Sequence, residues 1–356
     1  MLPYIFLFIA AIYFAWLAPS KIGKWGLFLL MLTMSMFRGM NVGGDDTIAY
    51  YKNAFEHEFS LTSTVSYDLE ILFVWWTGFI KAHGLNPRWC LYSLSLIQFL
   101  FLYLSSKRYN IRIEKVLFFF LLLNYYYLSL EISRQFAAVA ILLYGYSFIR
   151  EPGKKKLIFL AMVLLATSIH LSSLLGILVF LCGYLKIPRK ISLPLLYIVF
   201  TIAFVFVQTI GATISDFILS RLDYINFYNH LAEETNAVTS SSIVGYIVLY
   251  IKMIFSLYVF SRIAISKEDL ITNVFFVGII VTLLFSPIGG NIRRLMYLVS
   301  IIDIIAYSLY FKLDYIPKKT KQSFLIIITV FWGAVCLSEI SKGNYFLNPY
   351  YMTLPF

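Results

Sequence analysis

Eight polar side chains stand where apolar stretches of this chain begin or end: Arg38, Asp45, Asp46, Glu131, Arg134, His170, Arg293 and Arg294. Four carry a guanidinium, whose planar fork matches phosphate oxygens in pairs. His170 could serve as a general base or hydrogen-bond donor. Together these groups suggest a polar cavity, rich in guanidinium, that suits phosphate oxygens. The neighbouring acids Asp45 and Asp46 point different ways, so a shared metal site is not expected and no cofactor is invoked.

Each feature also has a plainer use. Gly43-Gly44 makes a tight turn, and Asp45 or Asp46 can cap the helix that follows. Glu131 and Arg134 stand at i and i+3, which suits an ion pair at a helix start. His170 lies between two apolar runs and could be a satisfied core histidine. Arg293 and Arg294 open a helix, with Tyr297 on the Arg293 face. Two arginines at a noncytoplasmic helix end oppose the usual charge bias, which favours function there.

The elements that position these residues follow from composition. Of 356 residues, 60% are hydrophobic, 19% aromatic and 13% charged, with a mean hydropathy of +0.81. Soluble domains carry about 25% charge, so the solvent here is lipid, and a soluble enzyme or nucleic-acid-binding module is excluded. Cys90, Cys182 and Cys336 show no paired spacing, so neither a disulfide framework nor a zinc site is indicated. Apolar runs near 2–18, 24–40, 67–83, 88–106, 113–130, 132–149, 156–169, 171–185, 192–210, 243–262, 270–288, 292–312 and 321–340 predict an all-α polytopic protein with 12–13 membrane helices. No repeat and no long polar stretch interrupts it, so residues 1–356 are read as one integral membrane domain.

Basic residues set direction. The net charge of +11 concentrates in alternate connections: Lys107 to Lys115, Arg150 to Lys156, Lys186 to Lys190, Arg262 and Lys267, and Lys312 to Lys321. Those connections are assigned to the cytoplasm, leaving residues 124–133, His170, the 211–242 loop, the Gly289–Arg294 turn and the C-terminal tail on the opposite side. The 211–242 loop is long enough to be a lid, and Arg221 within it is a further phosphate candidate. The first hundred residues fit if one span fails to cross, with 67–83, bounded by Asp68, Glu70, Lys81 and His83, the preferred exception, or if the first two helices are inverted and the 41–66 loop is cytoplasmic. Lys252 and Asp303 fall at matching depths and suggest an intramembrane ion pair.

Taken together, the block Arg38…Val42-Gly43-Gly44-Asp45…Tyr50, Arg134-Gln135 on an alanine-rich helix, His170 with Ser172-Ser173, Arg293-Arg294 with Tyr297, and Tyr345 with Asn348-Pro349-Tyr350 resemble the EpsG family, which belongs with the Wzy-type polysaccharide polymerases. The resemblance covers nearly the whole chain. It departs from the family at Gly44, often Thr, and over residues 60–75, where Asp68 and Glu70 stand without the usual Pro.

The resemblance implies a metal-independent glycosyltransferase of GT-C type in the bacterial inner membrane. Such an enzyme joins oligosaccharide repeats on undecaprenyl pyrophosphate at the periplasmic face, for exopolysaccharide or lipopolysaccharide O-antigen. On that reading Asp45 and His170 are catalytic candidates, and Arg38, Arg134, Arg221, Arg293 and Arg294 contact pyrophosphate. Glu131, Gln135, Tyr50 and Tyr297 contact the rest of the substrate. The implied partners are the lipid-linked glycan, the bilayer and a protein that regulates chain length, with no nucleic acid. The alternatives are an O-antigen ligase-like enzyme and a transporter or flippase of lipid-linked glycans; the lack of inverted repeats argues against the transporter.

Overall fold

Backbone amides in hydrocarbon have no water to bond, so they must bond one another. The chain accordingly folds as helix, with no strand among the described residues. The computed structural model describes residues 2–39, 42, 70–187, 192–222, 243–265, 269–286, 294–342 and 350, with the backbone alone for 211–222, 243 and 269. Its contacts divide the chain into two compact units, residues 1–177 with 314–356, and residues 178–313.

The first unit contains α1 (Leu2–Ile12), continued by a π-helical turn Tyr13–Leu17, and α2 (Ser20–Met36). Next come α3 (Ile71–Ala82), α4 (Trp89–Arg108), α5 (Ile113–Leu122), α6 (Tyr125–Glu131), α7 (Ser133–Tyr146) and α8 (Lys156–Ile169). A 3₁₀ segment, Leu171–Leu178, follows α8, and α15 (Lys318–Ser341) returns to this unit. The second unit contains α9 (Val179–Cys182), α10 (Leu193–Leu222), α11 (Ile243–Ile263), α12 (Asp269–Phe285), α13 (Tyr297–Ser300) and α14 (Asp303–Lys312).

Every one of the thirteen apolar stretches contains helix, and some of these helices have the length to cross a membrane. Among the described residues four helices are long and apolar enough to cross a membrane: α4, α10, α11 and α15. Counting α5 with α6 as one bent span makes five. Several of the others end at breaks in the chain. Asn124, at φ 73°, turns α5 into α6 through 72°; left-handed backbone is a conformation Asn tolerates better than most residues. Ile132 separates α6 from α7, and His170, extended at φ −153° and ψ 113°, ends α8. The twelve residues of α3 reach only about 18 Å, against about 30 Å of hydrocarbon.

Within the first unit, α7 lies at the centre, against α4 and α8. Every residue of α7 except Tyr144 is buried, as expected of a helix that is apolar all round. Gly145 permits the close approach of α8, since a Cβ there would stand 2.9 Å from the Met162 Cβ. Lipid supplies little hydrophobic drive between helices, so small residues and hydrogen bonds must hold them together. Ser35 bonds Ser95 at 2.9 Å between α2 and α4, and Gln98 donates to Ser129 at 3.1 Å between α4 and α6.

Arg38 is the largest of these ties. It is 1% exposed, and its guanidinium donates to the carbonyls of Val42 (3.1 Å), Ser35 (2.8 Å) and Leu130 (3.0 Å) and to Ser133 Oγ (2.7 Å). The phosphate role expected for Arg38 is therefore corrected: its donors face the protein and fix the α6–α7 break to the end of α2. Nearby, Tyr126 donates to the Met31 carbonyl at 3.2 Å and Tyr350 to that of Met34 at 2.7 Å, so both side chains are tied to α2 as well.

In the second unit, Asn273 donates to the carbonyls of Cys182 (2.9 Å) and Leu185 (2.8 Å), closing the end of α9 against α12. Lys252 and Asp303 line one small cavity together with Ser256 and Thr282. Where the sequence suggested a loop from residue 211, α10 continues to Leu222. Residues 223–242 lie outside the described residues.

An Arg38→Met variant should be destabilised by at least about 3 kcal/mol, because several buried acceptors lose a charged donor together. Lys in its place should rescue little, since one ammonium cannot reach across the same fork. Thermal unfolding of the purified chain in detergent measures this, and a melting temperature equal to wild type would refute the strut role.

Candidate active site

The turn between α7 and α8 runs through Pro152 and Gly153, the latter at φ 61°. It makes the two helices a hairpin, so the start of α7 and the end of α8 lie at the same end. Arg134 stands at that start, just past the Ile132 break, and His170 at that end. The hairpin alone thus pairs residues that are 36 positions apart in the sequence. A third element completes the group: α3 packs against α8 and α4, and Glu70, the residue preceding it, reaches the same place.

The Glu70 carboxylate receives three donors. Arg134 Nη1 lies 2.6 Å from Oε2, while His170 Nδ1 at 3.0 Å and the Leu171 N–H at 2.8 Å share Oε1. The side chains of Glu70 and Arg134 are each 9% exposed and that of His170 is 25% exposed. The guanidinium of Arg134 also lies over the Phe73 ring, 4.7 Å from its centre, a cation–π contact that orients it from the first turn of α3. Burial alone would push the Glu70 carboxyl upward. The His170 hydrogen bond, the Arg134 charge and the Leu171 amide together outweigh burial and hold it below its ordinary 4.5.

This arrangement sets the chemistry of the imidazole. When neutral His170 donates Nδ1–H to Glu70, the lone pair resides on Nε2, the nitrogen away from the carboxylate. A carboxylate that holds one ring nitrogen and so presents the other as a base is the orienting device of acyl-transfer triads. Arg134 offsets the Glu70 charge, so the cluster is neutral with neutral His170 and singly positive once His170 is protonated.

The remaining candidates are distributed as follows. Gln135 is buried in α7 beside Arg134, and Glu131 ends α6 half-buried. Ile132 separates Glu131, at the end of α6, from Arg134, in the first turn of α7, and Arg134 bonds Glu70 across 64 positions of sequence. Arg294, half-buried, and Tyr297, buried in α13, belong to the second unit. Arg221 falls in the last turn of α10. Asp45, Asp46, Tyr50 and Arg293 lie outside the described residues.

Glu70 was not among the candidates from sequence. Its signal was present in the acidic stretch around Asp68 and Glu70, which reads there as the start of a weak span.

Because native Glu70 titrates below 4.5, its contribution to stability is complete above that pH and disappears as pH falls through its lowered native value. Wild-type protein should therefore lose melting temperature below pH 4.5, and Glu70→Gln should start lower at pH 7 and change less over that acid window. Parallel curves for the two proteins would refute the ion-pair account.

No curated protein and no solved structure matches the chain significantly. The model of the EpsG family matches residues 26–352, a range that contains Glu70, Arg134 and His170, the whole of the second unit and most of the first, and the chain therefore belongs to the EpsG family.

Proposed function

We propose that this chain is a polysaccharide polymerase of the bacterial inner membrane that joins undecaprenyl-pyrophosphate-linked oligosaccharide repeats at the periplasmic face. Family membership supports the polymerase class, and helices able to cross a bilayer support a multi-pass membrane enzyme. The single observation that carries the mechanism is the Glu70 carboxylate shared by Arg134, His170 Nδ1 and the Leu171 amide.

In the reaction a hydroxyl of one repeat attacks the anomeric carbon of the other chain. The new carbon–oxygen bond forms as the bond to the lipid diphosphate breaks, and the hydroxyl proton passes to His170 Nε2. That transfer makes the Glu70–Arg134–His170 cluster singly positive while the diphosphate gathers negative charge, so base catalysis and leaving-group stabilisation coincide. Arg134 and Arg294, with Arg221 and Arg293, are assigned to the diphosphate. Glu131, Gln135, Tyr50 and Tyr297 are assigned to the sugars, and Asp45 is the alternative base. Arg38 is withdrawn from the diphosphate set. The scheme needs no metal, and the GT-C architecture, one integral domain and a chain-length regulator remain part of the proposal. The basic turn between α7 and α8, Arg150 to Lys156, favours the cytoplasm, which supports a periplasmic setting for the Arg134–His170 end of the hairpin.

Purified protein supplied with lipid-linked repeats and no nucleotide should lengthen them. His170→Ala should slow chain growth by roughly 10²–10⁴-fold. Glu70→Gln, which keeps the shape but can favour the wrong tautomer, should lose at least about tenfold. Full activity in His170→Ala would move the base to Asp45. Transfer to a different acceptor without lengthening would indicate a ligase, and movement of lipid-linked glycan without new bonds a flippase.

A further inference from the structure

An apolar cavity of about 270 Å³ in the first unit is lined by Leu72, Phe73 and Trp76 of α3, Leu94 and Ile97 of α4, and Ile169 at the end of α8. It adjoins the charged cluster through two of these residues. Phe73 carries Arg134 over its ring at 4.7 Å, and Ile169 immediately precedes His170. The polar groups on its wall are already bonded: Trp76 Nε1 donates to Ser93 Oγ at 2.7 Å, and that hydroxyl donates to the Cys90 carbonyl at 2.9 Å. An enclosed water needs two to four polar partners, and this wall offers a water little, so hydrocarbon is the better occupant. Leu72 is 40% exposed and Leu96 and Leu100 of α4 are 52% and 46% exposed, so the helices that line the cavity also present apolar side chains to the bilayer.

A hydrocarbon site whose wall supports an arginine suits one kind of ligand, a chain with an anionic head. We propose that the cavity seats the isoprenoid units nearest the head of the lipid carrier, while the diphosphate lies toward Arg134 and His170. This rests on the polymerase reading and adds to it the place of the lipid chain. It also gives the short helix α3 a double role. One end supplies Glu70 to the base, and the next two turns supply the wall against which the lipid is held, fixing the reacting carbon relative to His170.

The test uses the full-length protein in phosphatidylcholine nanodiscs, photolabelled with farnesyl pyrophosphate bearing a diazirine on its first isoprene unit. Label is expected on Leu72, Trp76, Leu94, Ile97 or Ile169 and should diminish with excess inorganic pyrophosphate. Unlabelled farnesyl pyrophosphate should compete at least about tenfold better than pyrophosphate, the gain from burying two or three methylene-sized groups. Ile97→Trp, which fills the cavity, should abolish that gain; Leu72→Trp serves if that variant fails to fold.

Label confined to other helices, or a tail advantage that survives both substitutions, would overturn the proposal. So would labelling by a diazirine phospholipid that farnesyl pyrophosphate does not displace, which would identify an ordinary bilayer lipid as the occupant. Chain lengthening by the same preparation reports separately on the polymerase reading, so loss of one can be told from loss of the other.

Discussion

One carboxylate, that of Glu70, joins three pieces of chain that nothing in the local sequence brings together: the entry to α3, the start of α7 and the break after α8. In water such an ion pair would add little. Here both charges are almost wholly removed from solvent, and removing one partner from a buried pair costs about 3–5 kcal/mol because the other charge is left stranded. The site is therefore also a structural joint, and its geometry is held by the same bonds that orient the His170 ring.

The broken helices explain why such joints are needed. A break in hydrocarbon releases backbone groups that no water can satisfy. At the α6–α7 break the Leu130 carbonyl receives Arg38 from 92 residues away. At the end of α8 the Leu171 amide reaches Glu70 from 101 residues away. Each break is met by a charged side chain from a distant segment, and the two charges serve different ends. Arg38 is enclosed and its donors face protein acceptors. Glu70 leaves His170 partly exposed, with one ring nitrogen directed away from the carboxylate.

The neighbouring apolar cavity extends the same division of labour. Phe73 belongs both to the wall of that cavity and to the cation–π contact with Arg134. A charged pocket and an apolar one that share a ring can recognise a ligand charged at one end and oily along the rest, because each part finds the environment its transfer free energy favours.

Composition by itself determined that the chain is helical and belongs in lipid, since hydrocarbon admits only structures that satisfy their own backbone, and these apolar runs have helix length. Residue type likewise identified Arg134 and His170 as chemically capable, because an arginine or a histidine among apolar neighbours is conspicuous on any reading. Which partner each one takes was decided by the tertiary structure. Local spacing points Arg134 only toward near neighbours such as Glu131; the packing of α3 on α8 brings Glu70, which no local rule names, onto Arg134. Residue type at a helix end put Arg38 among the phosphate candidates, while packing enclosed it among carbonyls. Periodicity acts over a few residues, whereas the pairing of charges 64 or 100 residues apart depends on how whole helices fit, and that information is not local.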